Sequence, residues 1–134
     1  MDTNYIRNLI RVGRVSTVNG AACRAKVTFP DKDNSVSAEL PILQIGSNGT
    51  KGYWVPEVNT QVLCLFLPNS SGKGMSDGFI LGAFYSDVAP PAESDESVRS
   101  IRFPDGSFIR YNNGTITIKA ASAIKLEAPR IDLN

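Results

Sequence analysis

The last quarter of this chain places apolar side chains in pairs two residues apart: Ile101 and Phe103, Ile109 and Tyr111, Ile116 and Ile118, Ile124 and Leu126, Ile131 and Leu133. The pairs begin 8, 7, 8 and 7 residues apart. A spacing of two puts both members of a pair on one face of an extended strand. The near-constant step marks short strands repeated with turns between them. Pro104-Asp105-Gly106, Asn112-Asn113-Gly114 and Pro129 supply residues suited to tight reversals. Five short strands are therefore predicted over residues 99–134.

Such a segment has no interior of its own. Its apolar faces have nothing to pack on, and its short strands leave edges with unpaired backbone groups. Three copies wound together remove both deficits, because the apolar pairs then face a common axis and each edge is covered by a neighbouring chain. The reading is an obligate homotrimer whose core is formed by these ten side chains.

Upstream, residues 87–98 (DVAPPAESDESV) carry four acidic residues, no basic ones and a Pro-Pro pair. That composition builds no core and favours an extended connector. Before it, residues 1–10 form an N-terminal segment with a short helix over 2–9, and residues 11–86 follow a period of two. Strands are predicted at 11–18, 21–29, 36–44, 61–67 and 79–85, separated by Gly, Asn, Ser and Pro. In the second, Ala21, Cys23, Ala25, Val27 and Phe29 share one face and Arg24, Lys26 and Thr28 the other. The run from Leu63 to Leu67 is apolar on both faces and reads as central. Five strands in this length suggest a small barrel of OB type, which the pattern alone does not separate from an SH3-like barrel.

Composition narrows the chemistry. The 134 residues include 14 Lys plus Arg, 13 Asp plus Glu and no His, for a net charge of +1. Without imidazole there is no Ser-His or Cys-His nucleophile and no His-bound zinc, and two cysteines do not make a four-thiolate site. No catalytic residue, metal or cofactor is expected. Near-neutral charge argues against nucleic acid as a partner. Cys23 and Cys64 lie in apolar runs and read as packing residues. The opening MDTNYIRNLIRVG has no uninterrupted apolar stretch, so synthesis in a reducing cytoplasm is expected, and the sequons at Asn48, Asn69 and Asn113 read as turns.

Two other functions deserve weighing. Lys51, Tyr53 and Trp54 offer the cation and aromatic faces of an oligosaccharide or single-strand stacking site on an OB barrel. The same loop also suits packing or trimer contact, which the balance of 8 basic and 6 acidic residues through Tyr85 favours. Glu39, Glu57 and Asp77 are available for a cell-wall hydrolase, which needs two carboxylates at a suitable separation, but carboxylates scattered on turns are ordinarily solvated charge. Gly72-Lys73-Gly74 and the loop at 46–51 lack the spacing of a phosphate loop. Residues 69–77 read as a loop that orders on a partner.

The stretches RVGRVSTVN (11–19), VTFPDKDNSVSAELPIL (27–43), KGYWVPEVNTQVLCLFLPN (51–69), DGFILGAFYSD (77–87) and SIRFPDGSFIRY (100–111) resemble, in this order, the baseplate assembly protein V or central spike family of contractile phage tails and related injection machines. The resemblance covers most of the chain. It implies an all-β protein with an N-terminal OB-type barrel followed by a triple-stranded, intertwined homotrimeric β-helix needle. It further implies a place in the baseplate of a phage or phage-tail-like particle, contacts with hub and tail-tube proteins, and transient contact with the target cell envelope. Longer relatives end in a metal-binding His-x-His tip, and this chain has no His, so a separate tip protein at the C-terminus is expected. Five strands stacked across the axis give a rod of roughly 24 Å, shorter than the roughly 40 to 45 Å of a bilayer with its headgroups. Such a rod starts a perforation or carries a tip.

Overall fold

The computed structural model describes residues 3–69 and 75–134 and is nearly all-β. A seven-residue helix, α1 (Thr3–Leu9), leads into β1 (Ile10–Asn19). There follow β2 (Arg24–Phe29), a 3-10 turn (Pro30–Lys32), β3 (Ser35–Val36), β4 (Leu40–Pro41), β5 (Gln61–Pro68), β6 (Met75–Ala83), β7 (Arg99–Arg102), β8 (Phe108–Asn112) and β9 (Thr115–Lys119). The chain divides into two compact units, Met1–Pro90 and Pro91–Asn134. The expected loop at 69–77 falls largely outside the described residues, as does the Gly72-Lys73-Gly74 segment.

In the first unit the sheet runs β3-β2-β1-β5-β6, with β4 also paired to β2. These ladders are antiparallel. Beyond β4, a single parallel bridge joins Ile42 to Ile80 of β6, and the Leu43 N–H donates to the Ile80 carbonyl at 2.9 Å. Alternation then decides the core. Ala25, Val27 and Phe29 of β2 and Val62, Cys64 and Phe66 of β5 point inward and meet Val15, Leu40, Ile42 and Ile80. Phe29 and Phe66 meet edge to face, centroids 5.8 Å apart. At this end of the core the Arg11 guanidinium lies 4.8 Å from the Phe29 centroid and 5.4 Å from that of Phe66, a cation–π arrangement that lets β1 place a charged residue in an inward position.

Three strands differ from their sequence-based limits, each for a local reason. The second begins at Arg24 because residues 20–23 form a turn. The Asn19 side chain accepts from the Ala22 N–H at 3.2 Å, and Cys23 takes a left-handed backbone at φ 55°. Ala21 is therefore exposed, and Cys23 is half-buried. The expected strand at 36–44 survives only as β3 and β4. Between them the Ser37 hydroxyl accepts from the Val27 N–H at 2.9 Å, a side chain standing in for a ladder bond, and Pro41 has no N–H to give. The last strand of the unit runs from Met75 to Ala83 rather than 79–85.

Cys64 is fully buried and unbonded. Burial pushes its thiol from 9.0 up to about 11, against a smaller opposing pull from the Arg11 charge. The native state thus holds a proton that the unfolded chain releases earlier. The stability from this thiol is fully present below about pH 9 and is lost as pH rises towards 11. Urea unfolding of the protein and of Cys64→Ala, compared from pH 7.5 upward, should show the stability gap between them closing above pH 9, whereas parallel curves would show the thiol exposed.

The second unit is a meander, β7-β8-β9. Residues 103–107 turn through a Phe103 N–H to Ser107 carbonyl bond of 2.9 Å and Gly106 at φ +91°. Asn113 and Gly114, at φ 47° and 85°, make the two-residue reversal between β8 and β9, whose two positive φ values an Asn-Gly pair tolerates. Three of the five expected strands form here. Residues 120–134 carry none, although β9 keeps an unpaired edge in the same chain.

Candidate assembly surfaces

In β7-β8-β9, Ile101 pairs with Ile109 and Ile109 with Ile118, while Arg99 pairs with Tyr111 and Tyr111 with Ile116. Directly paired residues share a face. One face therefore carries Ile101, Ile109 and Ile118 in one row and Arg99, Tyr111 and Ile116 in the next, apolar except for Arg99 at its end. The opposite face carries Ser100, Arg110 and Thr117 in one row and Arg102, Phe108 and Lys119 in the next.

The two faces differ in how far they are satisfied. On the polar face the Glu93 carboxylate accepts from Arg110 Nε at 2.7 Å and lies 3.9 Å from Arg102. The Arg102 guanidinium sits over the Phe108 ring at 5.0 Å. The Arg110 hydrogen bond, before the other contributions, holds the Glu93 carboxyl below the usual carboxylate range. On the apolar face nothing covers the side chains: Ile101, Ile109, Tyr111, Ile116 and Ile118 are 44–68% exposed, and Phe103 is 49% exposed.

Residues 120–134 continue the alternation without a ladder. Lys125 pairs with Glu127 and Arg130 with Asp132, each at 2.9 Å, so the charges of this segment neutralise each other two residues apart. Ile124, Leu126, Ile131 and Leu133 sit between them, half or more exposed. All ten side chains of the predicted trimer core are thus bare in the single chain.

In the first unit the structure brings Tyr53 and Trp54 together and leaves Lys51 out. Gln44 clamps the Trp54 backbone, its Nε2 donating to the carbonyl at 2.6 Å and its Oε1 accepting from the N–H at 2.7 Å. The Tyr53 hydroxyl donates to the Gly20 carbonyl at 3.0 Å. The two aromatics border an open groove of about 410 Å³ with Leu43, Ile45, Gly52 and Leu81. Lys51 is not among its lining residues. Of the acidic candidates, Glu39 accepts weakly from Asn19 at 3.4 Å, Glu57 stands in the turn before β5, and Asp77 lies in β6 opposite Leu67. Among the described residues, no three His, Cys, Asp or Glu side chains gather in a way that suits a metal ion.

A further surface had no counterpart in the sequence reading. Ile10 and Val12 stand exposed on β1 and border a cleft with Arg7, Arg11 and Arg14. The signal was legible as three arginines within eight residues, RNLIRVGR, but the short spacing was absorbed into a strand pattern.

No family model matches the chain. The chain is similar to a phage spike protein. It is 30% identical over 122 residues to the spike protein of Escherichia phage P2, a match covering 90% of this chain and 53% of the relative. The chain therefore spans about half the length of the curated relative it matches. The shared stretch takes in residues from both units, since 90% of the chain exceeds either alone.

Proposed function

We propose that the chain is the structural central spike of a contractile-tail baseplate, in a phage or phage-tail-like particle, and that it acts as a homotrimer. The observation that carries this reading is the two-faced C-terminal sheet. Its polar face is already satisfied by Glu93, Arg102 and Arg110, and its apolar face is bare. Three such faces turned to a common axis, with residues 120–134 adding strands to neighbouring chains, make a triple-stranded β-helix. The similarity to a protein named for its spike supports the same assignment.

The first unit supports an OB-type barrel. Its strands run β3-β2-β1-β5-β6, and the parallel bridge from Ile42, just beyond the β2-paired β4, to Ile80 of β6 curls the sheet back on itself, as a barrel requires. In this reading the barrel is the base that meets hub and tail-tube proteins, and the needle carries a separate tip towards the cell envelope. Stiffness is the activity, without catalysis, metal or cofactor. The groove at Tyr53 and Trp54, lacking its cation, serves packing or trimer contact better than a polyanion.

Light scattering on the full chain and on a truncation after Asp87 tests the assignment. The full chain should weigh three protomers at micromolar concentration and the truncation one. A full-length monomer, or a trimer that survives the truncation, removes the shaft from the explanation.

A further inference from the structure

The first half of β1 is paired on one side only. Residues 10–14 pair with β5, but pairing with β2 begins only at Arg14, opposite Thr28. The Val15 N–H donates to the Thr60 carbonyl at 3.0 Å, and its carbonyl accepts from the Asn59 N–H at 2.8 Å, so Val15 directs its backbone towards β5. By the alternation of an antiparallel ladder, Gly13 and Arg11 do the same, and Arg14, Val12 and Ile10 direct theirs the other way. Arg14 finds Thr28. Extending that register sets Val12 opposite Pro30, which has no N–H and opens the 3-10 turn that carries the chain away. The Val12 N–H and carbonyl and the Ile10 carbonyl are left as an open edge, the Ile10 N–H closing the last turn of α1.

That edge runs along the cleft noted above, of about 450 Å³ and lined in part by Pro30 and Asp31, within the roughly 300–1,000 Å³ of ligand clefts. Among the described residues none of Arg7, Arg11 and Arg14 has an ion pair or hydrogen-bond partner, and the Arg11 Nε is buried with none. Exposed Arg7 and Arg14 stand without an ion pair against one carboxylate, with exposed Ile10 and Val12 between them, while Arg11 is turned inward onto Phe29 and Phe66.

We propose that this edge is a docking site for an extended acidic segment of another protein, one that carries an apolar residue and a carboxylate two positions apart on one face and adds to β1 as a strand. The Val12 N–H and carbonyl and the Ile10 carbonyl supply ladder bonds to the incoming segment. Its apolar residue lies on Ile10 and Val12, and its carboxylates meet Arg14, which shares their face, and Arg7. Strand addition of this kind takes affinity from the main chain and selectivity from alternate side chains. Charge complementarity fixes the sign of the partner. The site does not depend on the C-terminal unit, so its failure leaves the spike assignment untouched.

The test is hydrogen exchange on the full chain, read by mass spectrometry over residues 10–13, with a synthetic peptide that places Asp and Val two residues apart. Exchange at Val12 should slow on adding the peptide, and the doubly reversed variant Arg7→Glu, Arg14→Glu, both exposed positions, should weaken binding by roughly tenfold or more. An equal response to a Lys and Val peptide would overturn the proposal, as would the same slowing with inorganic phosphate alone, which would mark a simple anion site. Protection already present without peptide and lost on dilution would assign the edge to a second copy of this chain and overturn it too. So would no change in exchange at all.

Discussion

Ile109→Asp is expected to leave the chain monomeric at concentrations where the unaltered protein is trimeric. Ile109 sits in the middle of a cross-strand row, between Ile101 and Ile118. In the single chain it is 45% exposed, so an aspartate there is solvated and the meander keeps its turns and its Glu93–Arg110 pair. In the proposed trimer the same position faces the axis, and three carboxylates would lie within one dry shaft, while the cation of that face, Arg99, stands one row away and already donates to the Glu96 and Val98 carbonyls. Burying an unpaired charge costs several kcal/mol even after relaxation, and the cost arises three times. The companion Thr117→Asp, on the polar face beside Arg110, should assemble normally. Sedimentation velocity separates the two outcomes, and a trimeric Ile109→Asp would put this face on the outside.

Gly13→Ala should destabilise the first unit by about 3 kcal/mol or more, at the upper end of what overpacking costs. A methyl group on Gly13 would stand 2.5 Å from Val27 Cγ1, 2.6 Å from the Thr28 carbonyl oxygen and 2.9 Å from the Phe29 ring. The side chains have some freedom. The carbonyl does not, because it belongs to β2 where that strand leaves β1. Relief therefore requires β1 and β2 to part near the point where Arg11 meets Phe29 and Phe66. Gly82→Ala is the matched control, since nothing lies within 4 Å of a Cβ there, and it should change stability by less than about 0.5 kcal/mol. Denaturant midpoints for both variants decide the matter, and equal midpoints would show that the two strands yield without loss.

The C-terminal pattern was readable in advance because each apolar pair needs only the local period of an extended strand. Ile101, Ile109 and Ile118 share a face in the structure for the reason that spacing predicted it. Residues 124–133 show the same pattern and form no strand in the single chain, because alternation only suits a segment to be a strand and a ladder partner makes it one. In the first unit, the inward sets of β2 and β5 followed from alternation. Ala21 did not, because the Asn19 side chain and the left-handed backbone at Cys23 divert the chain. The stretch at 36–44 was misread for a related reason: Ser37 completes the Val27 pairing with its hydroxyl, and a pattern of apolar spacing does not register that.

The candidate loop separates in the same way. Tyr53 and Trp54 are visible in the sequence as candidate exposed aromatics, but Trp54 is held by Gln44, ten residues away in sequence, whose amide pairs with both the N–H and the carbonyl of that residue. Arg11 is the strongest instance. Its inward position on β1 is unfavourable by composition, and it is tolerated because Phe29 and Phe66, from two other strands, present ring faces to it.

Local periodicity and turn chemistry determined that this is a nearly all-β chain with a repetitive, amphipathic end, because each of these rests on neighbours in sequence. Tertiary structure alone decided which strand edges stay open, where a glycine is indispensable, and that one face of the terminal sheet is satisfied while the other is bare. Those properties depend on groups brought together from distant positions, and the energy of a contact is set by separation in space.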